Sequence, residues 1–304
     1  MIIGGIVVVL WGADRLTDGA VGIAERMRIP QIVIGLTIVA IGTSMPEFCV
    51  SLVSALKGTP DLAVGNVIGS NIFNSLFIVG ITAMVAPMVI LPSTVRKDIP
   101  FALIASVAMA FMCLDGRLSR VDALILFGLF VYFMVVTVRG AKAGRQEAEE
   151  EKQPMNPWKA VGLILLGLVC LIVGSNIFVT GATNVAAAMG ISEAVIGLTV
   201  VAMGTSLPEL ATSVVSARKG NSGIAIGNVL GSNVFNILMI LGITGIISPM
   251  TIQGITAIDL YVMTGAMMLL WLFSFTKYTI ERWEGAVLTA IFVGYMTHLV
   301  AGVA

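Results

Sequence analysis

Two stretches of this chain repeat each other, 162 residues apart. Residues 35–47 read GLTIVAIGTSMPE and residues 197–209 read GLTVVAMGTSLPE; ten of the thirteen positions are identical, and the other three exchange one apolar side chain for another. A second pair, VGNVIGSNIFN at 64–74 and IGNVLGSNVFN at 226–236, keeps the same offset without a gap. Duplication on this scale means that the fold is assembled from two copies of one unit. Each copy is apolar, yet each carries one carboxylate, Glu47 and Glu209. An ionisable group inside a membrane span marks a functional site by default. Two of them at matched positions point to one shared site.

Hydrophobic residues make up 58% of the 304 and charged residues only 11%, with a mean hydropathy of +1.02. Soluble domains carry about 25% charged residues, so the chain is expected in a bilayer. A net charge of zero argues against nucleic acid as a partner. Cys49, Cys113 and Cys170 lie in apolar runs and read as small packed side chains. No cluster of His, Cys and Asp has transition-metal spacing.

A helix needs about 20 apolar residues to cross a membrane. Ten stretches qualify: 2–22, 30–56, 61–86, 99–114, 120–139, 158–182, 192–217, 222–248, 256–275 and 283–302. The opening run MIIGGIVVVLWG lacks the basic start and cleavage site of a signal peptide. It aligns with LILLGLVCLIVG at the same offset and is expected to be the first span. The expected fold is therefore an all-α membrane protein of ten transmembrane helices. Residues 1–139 form the first five-helix repeat, 140–157 a polar linker and 158–304 the second repeat. An odd number of helices per repeat sends the second copy into the membrane from the opposite side, so the repeats are inverted.

Lys and Arg set the orientation. Loops on the side of the linker hold Arg26, Arg28, Arg96, Lys97, Arg139, Lys142, Arg145, Lys152, Lys159, Arg218, Lys219, Lys277 and Arg282; the opposite loops hold Lys57, Arg117 and Arg120. The linker should face the cytoplasm, and both termini the outside of the cell membrane.

In GTSMPE, Pro46 has no N–H, so the Gly42 carbonyl loses its helical partner and the helix kinks; Pro208 does the same to Gly204. At membrane depth, backbone freed in this way persists only where protein or a polar cavity satisfies it. Thr43 and Ser44 stand four and three residues before Glu47, on one helix face, and Thr205 and Ser206 repeat this before Glu209. In the second phrase Asn66, Ser70 and Asn74 form an oxygen-bearing stripe, repeated by Asn228, Ser232 and Asn236. Carboxylate, hydroxyl, amide and carbonyl oxygens without imidazole or thiolate suit hard cations. The two glutamates supply the charge that one Ca²⁺ would neutralise. Asn66, Asn71, Asn228 and Asn233 fit interhelical hydrogen bonding as well as ligation. Asp14, Arg15 and Asp18 read as an interfacial charge cluster, because the repeat places Asn176, Ile177 and Thr180 at their positions.

These doubled phrases, Gly42–Glu47 with Gly65–Asn74 and Gly204–Glu209 with Gly227–Asn236, resemble the two α-repeats of the calcium/cation antiporter superfamily, which includes the sodium/calcium exchangers. The likeness covers nearly the whole chain, and the short linker is similar to that of prokaryotic members. The resemblance implies a central calcium site at Glu47 and Glu209 with carbonyls of Thr43 and Thr205. It implies flanking sodium sites at Ser44, Ser70, Ser206 and Ser232 with carbonyls of Ala40 and Ala202. The family's amide or acid at the end of each second phrase falls on Asn74 and Asn236. Many exchangers carry aspartate at one of these two positions, and this chain departs from them.

The expected function is secondary antiport of Na⁺ for Ca²⁺ by alternating access. The protein is expected not to be an enzyme and to need no cofactor, with Ca²⁺ and Na⁺ bound as cargo. Two alternatives stand beside this: a proton-coupled or other cation antiporter on the same fold, and a cation channel.

Overall fold

The structure, a computed structural model, describes residues 1–143, 155–189 and 202–301. Residues 144–154 of the expected linker, 192–201 of the expected seventh span and 302–304 lie outside the described residues. The helices, in chain order, are α1 (Ile2–Met27), α2 (Gln31–Thr43), α3 (Met45–Leu56), α4 (Pro60–Val85), α5 (Pro92–Arg96), α6 (Asp98–Met112), α7 (Arg120–Ala143), α8 (Pro157–Ala188), α9 (Ala202–Thr205), α10 (Leu207–Arg218), α11 (Ser222–Ile247), α12 (Ala257–Ser274) and α13 (Arg282–Ala301). Four two-residue strands join them: β1 (Met88–Val89), β2 (Arg117–Leu118), β3 (Met250–Thr251) and β4 (Thr279–Ile280).

Among the described residues, six helices are long and apolar enough to cross a membrane, namely α4, α7, α8, α11, α12 and α13, and the bent pair α2–α3 makes a seventh. The other three expected spans fall short for identifiable reasons. Helix α1 has 26 residues but carries Asp14, Arg15 and Asp18 along its length. Helix α6 has only 15 residues. The stretch preceding α9 lies outside the described residues.

Helices α4 and α11 are the centre of the protein. In each, 78% of the apolar stretch is buried, against 17–33% in α7, α8, α12 and α13. The outer helices instead turn large apolar side chains outward, among them Phe111, Leu124, Leu165, Leu272 and Val293. Hydrocarbon is the solvent in which such a surface is stable.

The prolines break the helices where expected. Between α2 and α3 the axis bends by 47°, and Ser44 at the bend leaves helical geometry, with φ −82° and ψ 6°. Ser206, between α9 and α10, takes nearly the same angles, −91° and 9°. Pro46 and Pro208 follow in the first turn of α3 and α10, where a missing N–H costs no helical bond.

A second distortion was not foreseen. Phe73–Ile78 in α4 and Phe235–Ile240 in α11 are wound as π-helix, as is Gly35–Val39 in α2. The first two stretches correspond residue for residue at the offset of 162. Wide turns of this kind are rare and concentrate at functional sites.

The two halves also bond to each other reciprocally. Strand β1 pairs with β4 (Met88 opposite Ile280, Val89 opposite Thr279), and β2 pairs with β3 (Arg117 opposite Thr251, Leu118 opposite Met250). Adding or subtracting 162 turns each pairing into the other. Helices α1 and α8 lie along one another in opposite directions, with Gly5 against Gly174, Gly12 against Gly167 and Gly19 against Ala160. Contact there is backbone to backbone: a methyl carbon built on Gly12 would stand 2.9 Å from the Gly167 carbonyl oxygen.

Candidate functional site

The two kinks meet at the centre. Ser44 Oγ donates to Glu209 Oε1 at 3.0 Å, and Ser206 Oγ donates to Glu47 Oε1 at 2.9 Å. Each serine thus serves the glutamate of the opposite half. Ser206 Oγ also lies 3.2 Å from Ser70 Oγ, and Ser232 Oγ reaches Glu209 Oε1 at 3.4 Å. The hydroxyls of Thr205 and Thr43 stand beside Glu47 and Glu209 respectively. The structure therefore brings together both glutamates and all four candidate serines.

Glu47 and Glu209 are sealed from solvent, at 0% and 1% exposure. One oxygen of each carboxylate accepts from hydroxyls; the other, Glu47 Oε2 and Glu209 Oε2, has no hydrogen-bond partner among the described residues. A buried charged oxygen without a partner is costly, and the two like charges repel. A positive guest removes both penalties at once.

Thr43 is buried, and its hydroxyl donates to Asn228 Oδ1 at 3.0 Å. This leaves its carbonyl, the group implied as a ligand, independent of the side chain. Ala40 is buried too, and its carbonyl accepts from the backbone N–H of Ser44 at 3.0 Å and lies 3.4 Å from the Thr43 hydroxyl. Ala202 stands at the first position of α9, at the edge of the described residues.

Asn74 and Asn236 lie inside the π-wound turns of α4 and α11. Asn74 Nδ2 donates to Asn233 Oδ1 at 3.1 Å, and Asn233 Nδ2 donates to Ser75 Oγ at 2.8 Å. The reciprocal chain cannot form, because Ile237 stands where Ser75 has its counterpart. Among the described residues, Asn236 is fully buried with neither amide atom partnered, and the Oδ1 atoms of Asn71 and Asn74 are also unpartnered. Three buried amide oxygens on α4 and α11 thus have capacity to accept.

Two serines belong to this arrangement and were not anticipated. Asn66 Nδ2 donates to the Glu47 carbonyl at 3.2 Å and to Ser51 Oγ at 3.0 Å. Asn228 Nδ2 donates to the Glu209 carbonyl at 3.2 Å and to Ser213 Oγ at 3.0 Å. Ser51 and Ser213 are themselves 162 apart, one helical turn beyond the glutamates. Extending the repeat comparison by four residues would have found them.

The charge cluster on α1 turns out to be a link between elements. Lys219, at the end of α10, pairs with both Asp14 and Asp18, and Thr17 Oγ1 lies 2.9 Å from Ser216 Oγ. Partial burial works against the Lys219 charge, but the hydrogen bonds it donates to the two carboxylates outweigh this and hold its pKa above the ordinary lysine value.

Comparison with known proteins gives a consistent result. A family model described as sodium/calcium exchanger protein matches residues 1–139 and 159–301. The putative antiporter CaxA of Alkalimonas amylolytica is 39% identical over 302 residues, 96% of this chain and 95% of that protein. The sodium/calcium exchanger MaX1 of Methanosarcina acetivorans is 30% identical over 336 residues, 97% of this chain and 96% of that one. A solved structure of the sodium-calcium exchanger NCX_Mj, soaked with 2.5 mM Na⁺ and 0.1 mM Ca²⁺, matches with a TM-score of 0.85 at 30% identity, covering 97% of this chain and 96% of that chain.

Proposed function

The chain belongs to the sodium/calcium exchanger family, a multi-pass membrane cation/Ca²⁺ antiporter rather than an enzyme, and we propose that it uses a sodium gradient to move calcium by alternating access. Glu47 and Glu209 hold Ca²⁺ at the centre. Ser44, Ser70, Ser206 and Ser232, with the carbonyls of Thr43, Thr205, Ala40 and Ala202 and the amides of Asn74 and Asn236, complete the calcium and sodium positions. The observation that carries this is the pair of buried, unpartnered carboxylate oxygens at matched positions of the two halves. Hydroxyl donors already satisfy one oxygen of each pair, so the remaining two suit a cation better than another neutral group.

Ten spans arranged as two inverted repeats give such a site two related conformations. The reciprocal β1–β4 and β2–β3 pairings and the antiparallel contact of α1 with α8 support that arrangement. Helices α1 and α8 meet backbone to backbone through glycine, which lets them move as one unit over the kinked helices. The loops rich in Lys and Arg, the linker among them, face the cytoplasm. Occupation by Ca²⁺ or by Na⁺ removes the central −2 charge, and each ion excludes the other from shared oxygens. Protons would neutralise the same carboxylates, and a proton-coupled antiporter is the second reading this pair of buried charges admits.

Titration of purified protein with Ca²⁺ by calorimetry tests the shared site. Added Na⁺ should weaken Ca²⁺ binding in proportion to its concentration, while K⁺ and choline at equal ionic strength should not. Binding indifferent to Na⁺ would rule out overlapping sites.

A further inference from the structure

Asn66 and Asn228 touch the candidate glutamates without offering them a ligand. Each sends its amide N–H₂ to the backbone carbonyl of a glutamate and to the serine one turn further along the same helix. That serine in turn donates back to the asparagine's own helix: Ser51 Oγ to the Ala63 carbonyl at 3.2 Å, and Ser213 Oγ to the Ala225 carbonyl at 3.4 Å. The result is a closed ring of hydrogen bonds between α3 and α4, repeated between α10 and α11. It grips the backbone at the glutamate itself.

The position matters because each glutamate sits where the helix restarts after its kink. Glu47 and Glu209 lie in the first turn after a kink, directly behind the proline that opens the new helix. A carboxylate on such a turn can swing with its Cα. Two like charges in one buried pocket favour that swing, since it takes them apart. A bond to the carbonyl of the same residue opposes it. Asn228 goes further, for its Oδ1 accepts from Thr43 of the other half. One amide thus ties the Glu209 backbone to the kink that carries Glu47.

We propose that Asn66 and Asn228 are positioning residues that fix the two carboxylates at the spacing a divalent cation requires, and that Asn228 additionally couples the two halves through Thr43. This rests on the reading that Glu47 and Glu209 hold Ca²⁺. Groups that orient a metal's ligands without touching it set its affinity by about 10- to 100-fold. A role confined to holding helices together would leave ion affinity alone and lower stability instead.

The test uses full-length protein in detergent, with Ca²⁺ affinity from calorimetry and melting measured without Ca²⁺. Asn66→Ala and Asn228→Ala should each raise the Ca²⁺ dissociation constant about tenfold or more. Thr43→Val keeps the carbonyl and removes the hydroxyl. Combined with Asn228→Ala, it should add less than its own single effect, because both changes break one bond. Wild-type affinity in the alanine variants with a lowered melting point, or strict additivity in the pair, would overturn the proposal. If the asparagine variants do not fold, Ser51→Ala and Ser213→Ala decide it, since each removes the second anchor that holds the amide against the glutamate carbonyl. Weakened Ca²⁺ binding then supports the positioning role and wild-type binding refutes it. Glu47→Gln separates the two levels: normal Ca²⁺ binding in that variant defeats the calcium site, and the positioning role with it, whereas lost binding there beside normal binding in the asparagine variants defeats the positioning role alone.

Discussion

Replacing Glu47 by glutamine removes the charge at the centre and turns one carboxylate oxygen into an amide N–H₂. Glutamine keeps the shape and keeps a carbonyl oxygen that can accept from Ser206, as Glu47 Oε1 does now at 2.9 Å. What it loses is the negative charge shared with the unpartnered Oε2. The site is sealed, with Glu47 at 0% exposure, so water does not soften the effect. Removing one partner of a buried ionic arrangement costs about 3–5 kcal/mol. At about 1.4 kcal/mol per tenfold change, Ca²⁺ affinity should fall by about two to three and a half orders of magnitude. Glu209→Gln should behave alike, since Ser44 and Ser232 serve it in the same way. Without calcium the sign reverses: one carboxylate no longer repels another, so melting in chelator should occur at the same temperature or higher. Calorimetric titration and a melting curve on one preparation read both effects. Calcium affinity within a few-fold of wild type, or a melting temperature that falls with chelator present, would refute this electrostatic account.

If, as proposed, neutral oxygens serve flanking sodium sites, Ser70→Ala and Ser232→Ala should weaken sodium dependence more than calcium dependence of flux; a lost bond to a charge is worth about 1.5 kcal/mol or more, and equal losses for both ions would make these serines packing groups. Gly12→Val drives a side chain into the Gly167 carbonyl and Cys170, where a methyl carbon would already stand 2.8–2.9 Å away. It should slow exchange while leaving Ca²⁺ binding intact, and Gly4→Val, with open space around it, should do neither. Two sodium ions would balance the two glutamates, and the serines and asparagines offer oxygens for a third. Exchange is therefore expected to move charge, so a clamped membrane potential should alter the calcium rate; no response over a wide range of potential would indicate two sodium ions per calcium.

The centre of this protein was legible because it is written twice. The prolines and glutamates announce the kinks, and the structure bends where Pro46 and Pro208 require. Ser44 and Ser206 fall three residues before the glutamates, and Ser70 and Ser232 fall on the asparagine stripes, by spacing alone. What spacing cannot give is partnership across the halves: that Ser44 serves Glu209 and Ser206 serves Glu47 follows from how two kinks dock. The π-wound turns at Phe73–Ile78 and Phe235–Ile240 left no compositional trace. Hydrophobic spacing does not mark where a helix takes an extra residue into one turn. Helix α1 hid its link to α10 for a related reason. Asp14 and Asp18 have no acidic counterparts in the repeat, so comparison of the halves discards them, and their partner Lys219 is 201 residues beyond Asp18.

Calcium uptake into proteoliposomes tests the coupling most directly. Vesicles are loaded with Na⁺, K⁺ or choline, or set to a pH gradient with no sodium present, and ⁴⁵Ca²⁺ entry is followed after dilution into sodium-free medium. A sodium-driven exchanger accumulates calcium only in the sodium-loaded vesicles and loses this with Glu47→Gln. Accumulation driven by the pH gradient alone, or equal uptake whatever the internal cation, would contradict sodium coupling.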